Sequence, residues 1–471
     1  MLSFCVHKKR KGEIFIMKCF DITAYGAIPC DLLQTEKIQK AIDECFLAGG
    51  GEVVVPAGFF RTGGLRLRSN VTLRLKTGAV LEGSRNCEDY NAYLQDTLEP
   101  LTIPYDRDPR KTRSAQWYSR WSNGLLKAVN AENIAVIGEP GSFIDGAGCM
   151  DPQGERDYRG PHPISFWNCK NVHLEGYTIK DSGNWAHAIF NSENIDVHNV
   201  SVYGGLDGIN FRSCQHILVE DCLFYTGDNC VAGFDNYDWT IRRCICNSGV
   251  STMLLGGTKV LVEDCKMFGF PSYYPQRNAL TDEEKKYNLP GEGGGIHTTG
   301  WGIQYYCDFR ANPKYTPGDF IVRNCEFSHL RGIFNHPFGL ENRWCINRSL
   351  SSIRFENCKA EGMRRPVFLT CDPYEPMVFE MENVTITPEK GLESMPIIVA
   401  RDVKSISLKN VTVEGFTEPC ILTVNNAENV TQEGGTPLPV EHVAGYGLDV
   451  FYLENWMEVQ KDLGPDYRQY C

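Results

Sequence analysis

The sequence predicts an all-β protein, a parallel β-helix or solenoid closed at its N-terminal end by a capping helix. Three observations carry this. A short pattern of apolar residue, polar pair, then Cys or Val recurs along much of the chain. Each copy lies in strand-like alternation, as in His216-Ile217-Leu218-Val219-Glu220-Asp221-Cys222, and polar turns such as Gly227-Asp228-Asn229 punctuate the copies. A single amphipathic helical segment precedes them all.

The elements follow in chain order. His7-Lys8-Lys9-Arg10-Lys11 precedes Ile14-Phe15-Ile16-Met17, which Lys18 interrupts. A secretory signal needs roughly 7–15 apolar residues and a cleavage site, and a membrane span needs about 18. Residues 1–17 therefore read as a ragged extension with Met17 a candidate initiator, and the expectation is a cytoplasmic protein with no membrane partner. Thr35–Cys45 reads as a helix with Ile38, Ala41, Ile42 and Cys45 on one face, ended by Gly49-Gly50-Gly51. Strands begin at Val53-Val54-Val55.

The repeat then appears at Val197-His198-Asn199-Val200, Val219-Glu220-Asp221-Cys222, Ile241-Arg242-Arg243-Cys244 and Val262-Glu263-Asp264-Cys265. It returns at Val322-Arg323-Asn324-Cys325, Phe355-Glu356-Asn357-Cys358, Met381-Glu382-Asn383-Val384 and Leu408-Lys409-Asn410-Val411. The steps are 22, 22, 21, 60, 33, 26 and 27 residues. Coils of about 20–30 residues, each burying its apolar face on the next, are the signature of a stacked solenoid. Equivalent inward positions form ladders, and Cys222, Cys244, Cys265, Cys325 and Cys358 share one. The solenoid is expected over 18–430, with insertions near 85–122 and 271–318. Residues 431–471 lose the repeat and are expected to pack on the outside or far end. Both insertions are aromatic and partly basic, with Arg120, Trp121, Tyr273, Trp301 and Tyr305 among their residues. They read either as carbohydrate-recognising loops, Arg forks suiting carboxylates, or as simple cover.

Composition narrows the function. The 471 residues carry Lys+Arg 47 against Asp+Glu 59, a formal charge of −12. That balance argues against nucleic acid as a partner, since phosphate binding needs a basic face. The 20 cysteines include no C-x-x-C pair. With no export signal they read as mostly buried thiols rather than disulfides or a metal centre, and neither a cofactor nor a metal is implied.

The chain resembles glycoside hydrolase family 28, the polygalacturonase group of right-handed β-helices within the pectin-lyase-like superfamily. The likeness rests on Tyr25-Gly26-Ala27 through Gln39, Gly49-Gly50-Gly51, Ser69-Asn70-Val71, Gly78-Ala79-Val80-Leu81 and Ile144-Asp145-Gly146. It continues at Arg159-Gly160-Pro161 and Ser182-Gly183-Asn184-Trp185-Ala186-His187, and spans roughly 18–265 before bare repeats run to about 430. The family uses three Asp, one after Asn-Thr and two adjacent after Gly. Gly205-Leu206-Asp207-Gly208-Ile209 keeps the first; Gly227-Asp228-Asn229-Cys230 keeps one of the pair, with Asn229 in place of the other. The resemblance implies Asp228 as general acid and Asp207 as a carboxylate activating water. Their separation of 21 residues is one coil of the repeat, and inverting glycosidases hold such carboxylates about 6.5–9.5 Å apart. Asn229 can orient water but cannot take its proton.

Other family marks are missing. Gly249-Val250-Ser251-Thr252 stands where Gly-His-Gly is expected, and no Arg-Ile-Lys occurs. Either Arg277 or Arg310 grips a substrate carboxylate in its place, or the sugar carries none. Trp185 and His187 line the groove or pack; His297 substitutes for the missing histidine or is a solvated loop residue. The leading expectation is an inverting, exo-acting hydrolase of a pectin-derived or related uronic-acid-containing oligosaccharide. A catalytically degenerate carbohydrate-binding protein is the alternative. A lyase on the same scaffold ranks last, because no Asp-rich Ca²⁺ cluster is visible.

Overall fold

The structure, a computed structural model, describes residues 3–8, 14–97, 120, 122–154, 158–273, 299–307, 315–338, 348–424, 427 and 429–442. The chain divides into two compact units, Met1–Leu223 and Phe224–Cys471. Each is a right-handed parallel β-helix.

In the first unit a typical coil is made of His187–Phe190, Glu193–His198 and Ser201–Tyr203. Each strand pairs in parallel with its counterpart one coil away: His187 with Ile209, Ile195 with Ile217, Ile179 with Val202. Alternation sorts the side chains. Ile164, Phe166, His187, Ile189, Ile209 and Phe211 point into the coil, while Ser165, Trp167, Ala188, Phe190, Asn210 and Arg212 stand on the outer face.

The polar pair of the repeat now has a physical reason. Its second member turns the corner in the left-handed region in every copy: Asn199, Asp221, Arg243, Asp264, Asn324, Asn357, Asn383 and Asn410 have φ between 52° and 55°. Asn and Asp tolerate that conformation better than other side chains with a Cβ. Stacked corners then hydrogen-bond along the axis, Asn133 Nδ2 to Asn70 Oδ1 at 2.9 Å and Asn383 Nδ2 to Asn357 Oδ1 at 3.0 Å. The following cysteine turns inward and its thiol donates to the carbonyl two residues back, as from Cys222 to Glu220 and from Cys325 to Arg323, both at 3.2 Å. The cysteine ladder is therefore packing.

The capping helix runs over Thr35–Leu47 and buries Ile38, Ala41, Ile42 and Cys45 as its periodicity requires. Gln39 is buried with them because its amide pairs with both the N–H and the C=O of Arg66.

Three expectations need correction. The extension 1–17 is not ragged throughout: Ser3–Lys8 pairs antiparallel with Ile14–Asp21, which itself adds in parallel to Gly51–Val55. The alternating pattern of the second unit resumes inside the supposed insertion at 271–318. There Trp301–Tyr305 is a coil strand paired with Met253–Glu263 and Gly332–Pro337, so Trp301 and Tyr305 belong to the solenoid. Arg120, offered as a recognition residue, is buried against Asp151, its Nε and Nη2 donating to that carboxylate at 2.7 and 2.9 Å. A buried guanidinium needs such a partner, and this one ties down a structural corner. Strand pairing also continues to Val440–His442; the rest of the C-terminal segment lies outside the described residues.

Candidate active site

In the first unit Asp207 occupies the turn between Ser201–Tyr203 and Ile209–Arg212. Two glycines begin this turn, and Gly205 must be one, because it sits at φ 70° with the Ser182 hydroxyl where a Cβ would be. Asp207 is only 3 % exposed. Its carbonyl accepts the Ala186 N–H at 2.8 Å, and its carboxylate Oδ2 accepts Asn210 Nδ2–H at 2.7 Å.

His187 lies beneath this turn, not in a groove. It is fully buried; Nδ1–H donates to the Gly208 carbonyl at 2.8 Å, and the Tyr177 hydroxyl donates to Nε2 at 2.9 Å. Those partners fix one neutral tautomer. Burial pushes the imidazole down to about 4. Its expected role as a substrate contact is thus corrected: inward alternation on its strand makes it a buttress. Trp185 is also buried, in a cluster with Val129, Trp167, Ala188, Phe190 and Leu206. Its carbonyl accepts from Nδ1 of buried His162 at 3.1 Å, and its ring lies 4.7 Å under the Arg212 guanidinium. Trp185 serves this corner as packing.

Sequence reading missed Asn210 and Arg212. Arg212 Nε–H donates to Asn210 Oδ1 at 3.3 Å, so a guanidinium, an amide and the Asp207 carboxylate form a chain. The signal was present: Ile209-Asn210-Phe211-Arg212 alternates, and only its two polar residues can share the outer face.

In the second unit Asp228 is half-buried and Asn229 buried. Asp228 Oδ1 accepts both the Asn229 N–H at 3.0 Å and Asn229 Nδ2–H at 2.9 Å. The Asp228 carbonyl accepts two hydroxyls, Thr226 Oγ1 and Ser248 Oγ, each at 2.7 Å. Gly249 packs against the carbonyl of Gly227 so closely that a Cβ would collide with it. The first Gly of the missing Gly-His-Gly is thus kept for backbone approach, while Val250 and Ser251 supply no imidazole. Asp235 and Asp238 lie within the strand Val231–Arg242 at φ 56° and 57°, and Asp238 pairs with Lys259 at 2.7 Å. Arg277, His297 and Arg310 lie outside the described residues.

The two turns offer a carboxylate each, one buried and bridged to a guanidinium, one half-buried and bridged by an amide. Such groups can exchange protons with a bound sugar and water. Among the described residues one group, His198, Glu220 and Asp221, brings possible metal-ligating atoms within 4.8 Å of one another. His198 Nδ1 lies 3.3 Å from a Glu220 carboxylate oxygen and 3.6 Å from one of Asp221.

Residues 50–268 match the model of a family described as glycosyl hydrolases family 28. A "Probable polygalacturonase" of Vitis vinifera is 28 % identical over 301 residues, 55 % of this chain and 57 % of that protein. An "Exo-poly-alpha-D-galacturonosidase" of Dickeya chrysanthemi is 28 % identical over 254 residues, 46 % of this chain and 42 % of that protein. The chain thus spans about half the length of the curated relatives it matches. Among solved structures, a family 28 exopolygalacturonase of Yersinia enterocolitica superposes with TM-score 0.62 at 17 % identity, covering 92 % of this chain and 84 % of its own. An exopolygalacturonase of Thermotoga maritima gives 0.58 at 17 % identity, over 84 % and 92 %. At that identity the two structures establish the fold alone.

Proposed function

We propose that this chain, whose residues 50–268 match the model of glycosyl hydrolases family 28, is a member of that family and a glycoside hydrolase acting on a pectin-derived or related uronic-acid-containing oligosaccharide. The observation that carries the proposal is that the matched segment contains both Asp207 and Asp228 in their family contexts, one repeat step apart. Asp228 gives its proton to the leaving oxygen. Asp207 accepts a proton from the attacking water, which inverts the anomeric centre because acid and base work on opposite faces of the sugar. The reading is exo-acting, releasing one sugar from a chain end, and the Dickeya chrysanthemi relative named above carries an exo-type name.

One observation favours a second reading. Asn229 stands where the family has a carboxylate, and its amide is spent on Asp228; a protein so altered can bind sugar without cleaving it.

The test separates the two. Purified protein is incubated with oligogalacturonides and aryl glycosides, with reducing ends counted and the product anomer read by NMR. Turnover with inverted product, falling about 10²–10⁴-fold in Asp228→Asn and in Asp207→Asn, supports the hydrolase. Binding without turnover in the unmodified protein supports the second reading.

A further inference from the structure

We infer that Asn210 and Arg212 are positioning residues that hold Asp207 in one orientation and hold its carboxylate ionised, so that it serves as the base. The inference rests on the hydrolase reading for its meaning, while its geometry lies wholly within the first unit.

A side-chain amide accepts at one end and donates at the other in a fixed plane. Asn210 uses both ends. Its Oδ1 accepts Arg212 Nε–H, and its Nδ2 donates to Asp207 Oδ2 at 2.7 Å, within the range of charge-assisted bonds. The guanidinium thereby fixes which way the amide faces, and the amide fixes the carboxylate. Reversing the amide would set its oxygen against a carboxylate oxygen and its NH₂ against a guanidinium N–H, and both contacts repel.

The arginine is itself immobilised. Arg212 is 5 % exposed, and its guanidinium lies 4.7 Å from the Trp185 ring and 5.3 Å from the Phe190 ring. Phe190 stacks on Trp167 at 4.0 Å. Stacking on aromatic faces suits a planar guanidinium and not a lysine ammonium. Three coils of the first unit, through Trp167, Phe190 and Arg212, therefore supply one rigid anchor. Trp185, read from the sequence as lining a groove or as packing, has this supporting task.

Other ionisable groups at this corner do not take over the role. His187 is neutral and committed to Gly208 and Tyr177. His162 donates to the Trp185 carbonyl. Lys127 lies on the same outer face but in register with Ser165, which pairs with Ala188, the partner of Asn210.

The experiment reads Asp207 directly. Full-length protein labelled with ¹³C at the aspartate carboxyl is titrated by NMR, the Asp207 resonance being assigned by its loss in Asp207→Asn. Arg212→Met and Asn210→Ala should each raise the Asp207 titration midpoint by about one pH unit. Arg212→Lys, which keeps the charge and loses the fork, should restore only part of it. In parallel, kcat should fall by about tenfold in Arg212→Met with KM little changed, and the acid limb of its pH profile should move to higher pH. A midpoint that moves by less than about 0.2 unit in both variants, with native circular dichroism retained, overturns the inference. If the unmodified protein turns over no sugar, the hydrolase reading fails while the NMR midpoint still decides the relay. If the midpoint stays fixed in an active enzyme, the relay fails and the hydrolase reading stands.

Discussion

The turns that carry Asp207 and Asp228 belong to the same repeat position but are held in different ways. Around Asp207 the described supports come from different parts of the chain: an imidazole under the Gly208 carbonyl, an amide on the carboxylate and a backbone N–H on the carbonyl. Around Asp228 they are local and duplicated: two hydroxyls on one carbonyl, and both nitrogens of Asn229 on one carboxylate oxygen. A support with no substitute transmits its loss in full, because both partners are left buried and unpaired. A duplicated support does not. Single substitutions should therefore act more strongly on the first turn than on the second.

Removing the buttress of the first turn should have the largest effect on stability. His187→Leu leaves the Gly208 carbonyl and the Tyr177 hydroxyl without partners in a core position. Each orphan costs about 1–3 kcal/mol, so a loss of about 2–6 kcal/mol is expected at pH 7, read by urea denaturation. The same residue gives a pH signature. Its folded value, about 4, lies below its ordinary 6.5. The unfolded chain therefore takes up the proton first as pH falls. Stability conferred by neutral His187 is complete above about pH 6.5 and declines as pH drops toward 4. In His187→Leu that part of the acid slope should vanish. An unchanged slope between those limits would remove His187 as the titrating buttress.

How much of this contrast was legible beforehand depends on which residues make it. Periodicity marked the coils, the cysteine ladder and the capping helix, because all three are set by alternation and local turn chemistry, which the sequence writes directly. The family resemblance, not periodicity, marked both aspartates through their neighbours. Periodicity did not separate the fates of Trp185 and His187, since facing inward or outward turns on one residue of register at the strand start, a boundary that patterning locates poorly. Nor did it join Asn210 to Asp207: the bond spans a turn whose glycine-rich backbone brings residues three apart onto the same outer corner. The strand at Trp301–Tyr305 was missed because a long aromatic segment hides its alternation, every residue but one being buried there.

The second turn is sharpened by restoring the charge that the family carries there. Asn229→Asp keeps the backbone N–H on Asp228 but replaces the side-chain donor with a second carboxylate. One charge-assisted bond is lost and two like charges are brought together, so one of the pair holds its proton to higher pH. Because Asp228 is the general acid, a proton held to higher pH keeps it competent over more of the range, so the alkaline limb should shift upward and activity at pH 7 should rise by about tenfold, equivalent to about 1.4 kcal/mol. If the unmodified protein binds sugar without cleaving it and Asn229→Asp gains turnover, the carboxylate was the missing part and the chain is a degenerate hydrolase.

The smallest expected effect tests the duplication itself. Ser248 is fully buried; its hydroxyl donates to the Asp228 carbonyl and accepts the Val250 N–H at 2.9 Å. Ser248→Ala removes both bonds, yet Thr226 still donates to the same carbonyl at 2.7 Å. The carbonyl of Asp228 therefore stays paired, and only the Val250 N–H loses its partner. A cost of about 1 kcal/mol is expected, with activity changed by less than about threefold, equivalent to about 0.7 kcal/mol. Thr226→Ala should behave alike. The double variant should cost clearly more than the sum of the two, since only then is the carbonyl orphaned, and residues sharing one acceptor are not additive. Strict additivity in that cycle would mean that each hydroxyl acts alone, and the Asp228 turn would then be no better protected than the turn at Asp207.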